Sequence, residues 1–73
     1  MIKVKAKDLR QGDVIRIEHW SNLWKRVVPT TAIVLSVNEF GSRRCIFARV
    51  QDGLNEFLSD ICADAETEYE KIA

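Results

Sequence analysis

Asp8-Leu9-Arg10-Gln11-Gly12-Asp13-Val14-Ile15 is the stretch that decides how the chain folds. Gly12 offers the positive backbone torsion that a tight reversal needs, and Leu9 gives the turn one apolar anchor. Asp8 and Asp13 bracket it, with carboxylates suited to closing a turn onto its own main chain. On the N-terminal side, Ile2-Lys3-Val4-Lys5-Ala6-Lys7 alternates strictly, with Ile2, Val4 and Ala6 on one face and three lysines on the other. That is the period of a half-buried strand. Its outward lysines also discourage pairing with foreign strand edges. On the C-terminal side, Val14-Ile15-Arg16-Ile17-Glu18 resumes the alternation, with Ile15 and Ile17 inward. The pattern is strand, turn, strand.

The rest of the chain is β-rich. His19 to Arg26 is the least regular segment, and Ser21-Asn22 reads as a loop tip with Trp20 and Trp24 on either side. Pro29 donates no ladder hydrogen bond and belongs at an edge or a bend. Thr30 to Val37 is rich in β-branched residues and apolar on both faces, which predicts the most enclosed strand. Asn38 to Ser42 reads as a turn and Arg43 to Gln51 as the next strand. Asp52-Gly53 then predicts a type I′ hairpin turn into Leu54–Ser59. Within 54–65 a short helix is the rival, because Leu54, Phe57, Leu58, Ile61, Cys62 and Ala65 follow helical spacing. Thr67 to Ile72 alternates as an edge strand does, and a helix extended that far would place Glu66, Glu68 and Glu70 at its C-terminus, against the macrodipole. The tally is an all-β fold of five or six short antiparallel strands, with turns spaced as in small barrels.

Composition narrows the class. Seventy-three residues predict one domain, burying only about 60% of its unfolded surface, and a 47% hydrophobic share argues against disorder. No apolar run approaches the ~18 residues of a membrane span and no signal-like segment follows the first lysines, so a cytoplasmic protein is expected. Cys45 and Cys62 sit in apolar stretches and predict two buried, reduced thiols, with a disulfide between them as the alternative. Net charge is zero, yet residues 1–49 carry ten Lys/Arg against four Asp/Glu and residues 50–73 one Lys against seven Asp/Glu. The two halves are expected to neutralise each other across the fold.

The run Val4 to Ile15, with Trp24 and Val27-Val28 downstream, resembles small SH3-like barrels of bacteria and their phages. Those chains open on an Ala-x-Asp-Leu-x-x-Gly-Asp-x-Ile turn and often close on a strand like Ala63 to Ile72. The opening is also similar to the first turn of the elongation factor P barrel and to a strand–turn–strand of Hint domains. The resemblance implies an SH3-like barrel over residues 1–73 and carries no catalytic residue. Hint chemistry needs an N-terminal Cys or Ser and a Thr-x-x-His block, where this sequence has Met1 and an isolated His19.

Candidate sites are few. His19 reads as a surface imidazole, and Asp8 and Asp13 as turn caps. Asp60, Asp64, Glu66, Glu68 and Glu70 read as a solvated acidic face, since they miss the calcium-loop spacing. No phosphate loop, metal set or other cofactor motif is present, and no enzyme is expected. What remains is an aromatic and basic group: Trp20, Trp24, Lys25 and Arg26, with Arg43 and Arg44 at a strand start. Aromatic and arginine side chains anchor protein–protein hot spots, which predicts a non-enzymatic module with a protein partner. The same residues, with Lys3, Lys5 and Lys7, would stack and track single-stranded DNA or RNA as the alternative. Trp24, close to two valines, is expected to plug one end of the barrel, whereas Trp20 is left open between burial and exposure.

Overall fold

A computed structural model describes residues 2–21 and 23–72. The fold is all-β: β1 Ile2–Lys5, β2 Val14–Ser21, β3 Arg26–Phe40, β4 Arg43–Asp52, β5 Asn55–Asp64 and β6 Glu68–Lys71. They form one antiparallel sheet in the order β1-β6-β2-β3-β4-β5. β1 and β5 are its edges, and no ladder joins them, so the expected barrel is not closed. The sheet curls instead. Tyr69 on β6 and Ile61 on β5 line one cleft although three strands separate them in the sheet order. Among the described residues no helix is long and apolar enough to cross a membrane.

The opening stretch forms a hinge between strands. A 3-10 turn, Ala6–Asp8, follows β1, so the first strand is shorter than its alternation suggested. Ala6 is fully buried and Leu9 nearly so, as expected, but Ile2 lies exposed at the sheet edge. The Arg10 N–H donates to the Asp13 carboxylate at 2.9 Å, whereas Asp8 stays exposed and closes nothing. Gly12 has φ 93°, and a Cβ there would meet nothing within 4 Å, so the backbone torsion alone calls for glycine. Gly12 N–H and Asp13 C=O then exchange 2.8 Å bonds with the main chain of Val34, next to a register shift in β3. The turn is thereby stitched to the middle of the longest strand.

The core lines the inner face of the curl. Ile15, Ala32, Val34, Ile46, Ala48 and Val50 are buried, and Val4, Ile17, Val37, Ile61 and Tyr69 pack against them. β3 is covered on one face only; Ile33 points outward and is exposed, contrary to the two-sided burial expected of Thr30–Val37. Pro29 lies where β3 has passed the end of the β4 ladder and pairs with β2 alone, the edge setting its missing N–H requires.

Residues 54–65 are not helical. β4 and β5 pair from Arg43↔Asp64 to Asp52↔Asn55, so the turn residues are Gly53 and Leu54 rather than Asp52 and Gly53. Gly53 has φ 62° and Leu54 has no positive φ, which is the type II′ pattern, not type I′. The apolar residues that mimicked a helix divide between the two faces of β5: Phe57 and Ile61 inward, Leu58 and Cys62 outward.

That register also corrects the cysteine reading. Cys45 lies directly opposite Cys62 on the outer face, and the two form a disulfide. The charge halves do meet across the fold. Lys5 and Lys7 pair with Glu66 at 2.7 and 2.9 Å, Arg16 with Glu70 at 3.4 Å, and Asp13 with Lys71 at 3.5 Å. The two ammoniums donate to Glu66 and hold its carboxyl at about 2, below the ordinary 4.5.

Candidate functional site

The β2–β3 hairpin ends in a reversal built on Ser21. This residue is fully buried at the end of β2, not at a loop tip; its neighbour Asn22 lies outside the described residues. The Ser21 hydroxyl donates to the Asp52 carboxylate, 3.2 Å from each oxygen, and accepts the Trp24 N–H at 3.2 Å. Lys25 adopts φ 55°, and its N–H closes onto the Ser21 carbonyl at 2.8 Å. The polar clamp sits inside, and the large apolar side chains stand outside it.

Trp20 is 56% exposed and Trp24 61% exposed, so Trp24 does not plug the fold. The cause is register. Ile15, Ile17, His19 and Ser21 take the inner face of β2, which turns Trp20 outward opposite Val27. Trp24 lies beyond the last pair, Ser21↔Arg26, where there is no curl to fill. Leu23, Val27 and Leu54 are exposed at the same end, and Trp20 and Leu23 share a shallow recess with Asp52, Asn55 and Phe57. Lys25 and Arg26 flank this apolar tip.

Arg43 and Arg44 are elsewhere. They begin β4, opposite Phe40 and Glu39, so the 15-residue length of β3 separates them from Lys25 and Arg26. Arg44 is occupied by the Glu39 carboxylate at 3.2 Å and the Gly41 and Arg43 carbonyls at 3.0 and 2.9 Å. Arg43 faces Asp64 at 3.9 Å. The six residues singled out in the sequence thus form a tip group of four and a remote pair.

A second feature escaped sequence reasoning. A cleft of about 450 Å³ opens between β2 and β5, lined by Ile17, His19, Val50, Phe57, Ile61 and Tyr69, with Arg16, Glu18, Ser59 and Glu70 completing its walls. His19 is half-buried rather than a surface imidazole. Its ring lies 5.6 Å from that of Phe57, and its Nε2 is buried without a hydrogen-bond partner among the described residues. Partial burial beside this cleft raises the Tyr69 phenol above its ordinary value of 10.0. The signal was present in the alternation of β2, which puts His19 in phase with Ile15 and Ile17, but nothing local showed that β5 would face it.

Ser21, His19 and Asp52 lie close without forming a nucleophilic relay. The serine proton is directed to the carboxylate, the hydroxyl is fully buried, and the imidazole Nε2 is 4.0 Å from Asp52 Oδ2. The arrangement clamps two hairpins together. Among the described residues, no group of three or more His, Cys, Asp or Glu gathers as a metal site. Comparison with protein-family models, curated proteins and solved structures finds no match to this chain.

Proposed function

We propose that this chain is a non-enzymatic binding module that docks a protein partner through the tip of its β2–β3 hairpin. One observation carries this: Trp20, Leu23, Trp24 and Val27 are all exposed at one end of a small fold, beside Lys25 and Arg26. Exposed apolar surface of that kind costs solubility unless it is covered in use, and tryptophan with arginine is the usual make-up of interface hot spots. In the same reading the sheet is an SH3-like barrel left open along one side, as in small bacterial and phage proteins, with the Ala6–Asp13 turn as its opening device. A cytoplasmic setting would keep Cys45 and Cys62 reduced for most of the time. The continuous β4–β5 ladder then holds that hairpin without the bridge.

Binding of single-stranded nucleic acid needs cations that track phosphate beside the stacking rings. Arg43 and Arg44 do not supply them, because they lie at the far end of β3. Two measurements test the proposal together. Capture from host lysate by the native chain is expected to be lost in Trp20→Ala and Trp24→Ala; equal capture by all three forms overturns docking at the tip. Titration of tryptophan fluorescence with a single-stranded oligonucleotide is expected to give no quenching at low salt. Quenching that disappears at moderate salt would mark a nucleic-acid binder instead.

A further inference from the structure

The walls of the cleft are bare strand edges. β6 pairs with β2 only at Ile15↔Lys71 and Arg16↔Glu70, so among the described residues no strand pairs with that edge of β2 from Ile17 to Ser21. Among the described residues β5 pairs only with β4, and no strand is laddered to its other edge. Four consecutive residues of β2, Arg16 to His19, line the cleft, which requires that the strand be seen edge-on rather than by one face. Phe57, Ser59 and Ile61 line it from alternate positions of β5. The β2 wall therefore offers main-chain donors and acceptors, and β5 presents its inner-face side chains to the cleft with its unpaired edge beside them.

We propose that this seam receives one extended segment of a partner protein, paired to β5, with apolar residues at alternate positions and Lys or Arg between them. The inward side chains of an added strand meet Phe57 and Ile61, which selects apolar residues. Its outward side chains fall beside Glu56 and Asp60, on a strand that carries no Lys or Arg, whereas Asp64 at the end of the strand is already faced by Arg43 at 3.9 Å. Opposite charges in adjacent strands attract and like charges repel, which selects basic residues there. Glu18 on the facing wall acts in the same sense, and Arg16 beside it is held by Glu70 at 3.4 Å.

The chain already contains one such pairing. β1, with Ile2 and Val4 alternating with Lys3 and Lys5, lies on β6 with Lys3 opposite Glu70 and Lys5 opposite Glu68. β1 itself is committed there, because Ala6 and Lys7 are tied by main-chain bonds to Thr67 and Ala65. A separate protein is thus a better occupant than β1 of a second copy. The seam meets the hairpin tip at His19 and Phe57, which line both the cleft and the recess holding Trp20 and Leu23. The inference rests on the binding-module reading and extends its surface from the tip along β5.

The test titrates the isotopically labelled chain with an eight-residue peptide of alternating valine and lysine and follows its amide resonances. Expected are saturable shifts confined to Ile17–Ser21 and β5, with slowed exchange of β5 amides. A peptide with glutamate in place of lysine is expected to bind at least tenfold more weakly, and so is a valine–lysine peptide with a central proline. Glu56→Lys with Asp60→Lys, both on the exposed outer face, is expected to reverse the charge preference without unfolding the sheet. Equal binding of both charged peptides overturns the proposal, as does the absence of saturable shifts at millimolar peptide. Shifts confined to Trp20, Leu23 and Trp24 overturn the seam but leave docking at the tip intact. Self-association of the free chain through β5 also overturns it, by making a second copy the occupant.

Discussion

Ser21 and Asp52, 31 positions apart, join the ends of two hairpins: the buried hydroxyl of one lies 3.2 Å from both carboxylate oxygens of the other. The same hydroxyl receives the Trp24 N–H, so one side chain holds the β4–β5 turn and shapes the loop that displays the tryptophans. Hydrogen bonds to a charged group contribute about 1.5–3 kcal/mol, and an unsatisfied buried partner costs about as much. Ser21→Ala is expected to lower unfolding free energy by about 2 kcal/mol in urea. A loss below about 0.5 kcal/mol would show that the clamp is not formed in solution.

Gly12→Ala isolates the backbone requirement of the opening turn, because a methyl group there meets no neighbour. A left-handed torsion costs an L-residue about 1–2 kcal/mol, and that is the expected destabilisation. Gly12→Asn should lose less, since asparagine visits positive φ more readily. An alanine variant as stable as the native chain would mean that the turn does not hold φ 93°.

Acid titration reports on Glu66. Its carboxyl is held at about 2 in the folded chain by the Lys5 and Lys7 ammoniums, against 4.5 ordinarily. A depressed carboxyl contributes stability above its unfolded value and loses it as pH falls toward the folded one. The window is therefore roughly 4.5 down to about 2. Glu66→Gln is expected to flatten the stability profile over that window and to differ little between pH 6 and pH 8. A Glu66 carboxyl resonance that titrates at its ordinary value would refute the paired arrangement.

Cys45 and Cys62 enclose a short loop, 17 positions apart in sequence. Closing a loop of that size constrains the unfolded chain by about 3 kcal/mol in the chain-entropy account. Oxidised protein is expected to unfold at clearly higher urea than protein kept in reductant, with Cys45→Ala matching the reduced form. Coincident midpoints would indicate that the thiols are not bridged.

Trp20→Ala and Trp24→Ala are expected to change stability much less than Ile46→Ala, a fully buried position at which about 2–5 kcal/mol is lost. Both tryptophans should be open to an aqueous quencher. Strong protection of either ring from iodide would place it inside the fold.

What was legible in the sequence was whatever depends on neighbours within a few residues. Alternation at Ile2–Lys5 and Val14–Glu18, the glycine of the opening turn, the edge position of Pro29 and the Leu9 anchor are all local steric and periodic facts. The helical spacing over 54–65 misleads because a two-sided apolar strand and a helix share the same short-range pattern. The β4 ladder settles it by giving every main-chain group of one β5 edge a partner. Likewise, the two valines near Trp24 point to burial, and the ring is exposed. That depended on whether the sheet closed above it.

The sequence by itself determined the strand type and the direction each side chain from Val14 to Glu18 faces, because a two-residue period follows from backbone geometry alone. Only the tertiary structure decided that Cys45 meets Cys62, that Ser21 reaches Asp52, that Arg43 and Arg44 part from the tryptophans, and that β5 and β2 stand apart as an open seam. Each of those is a relation between distant segments. It is set by ladder register and sheet curvature, which shift whole rows of side chains together and leave no mark on any single stretch of chain.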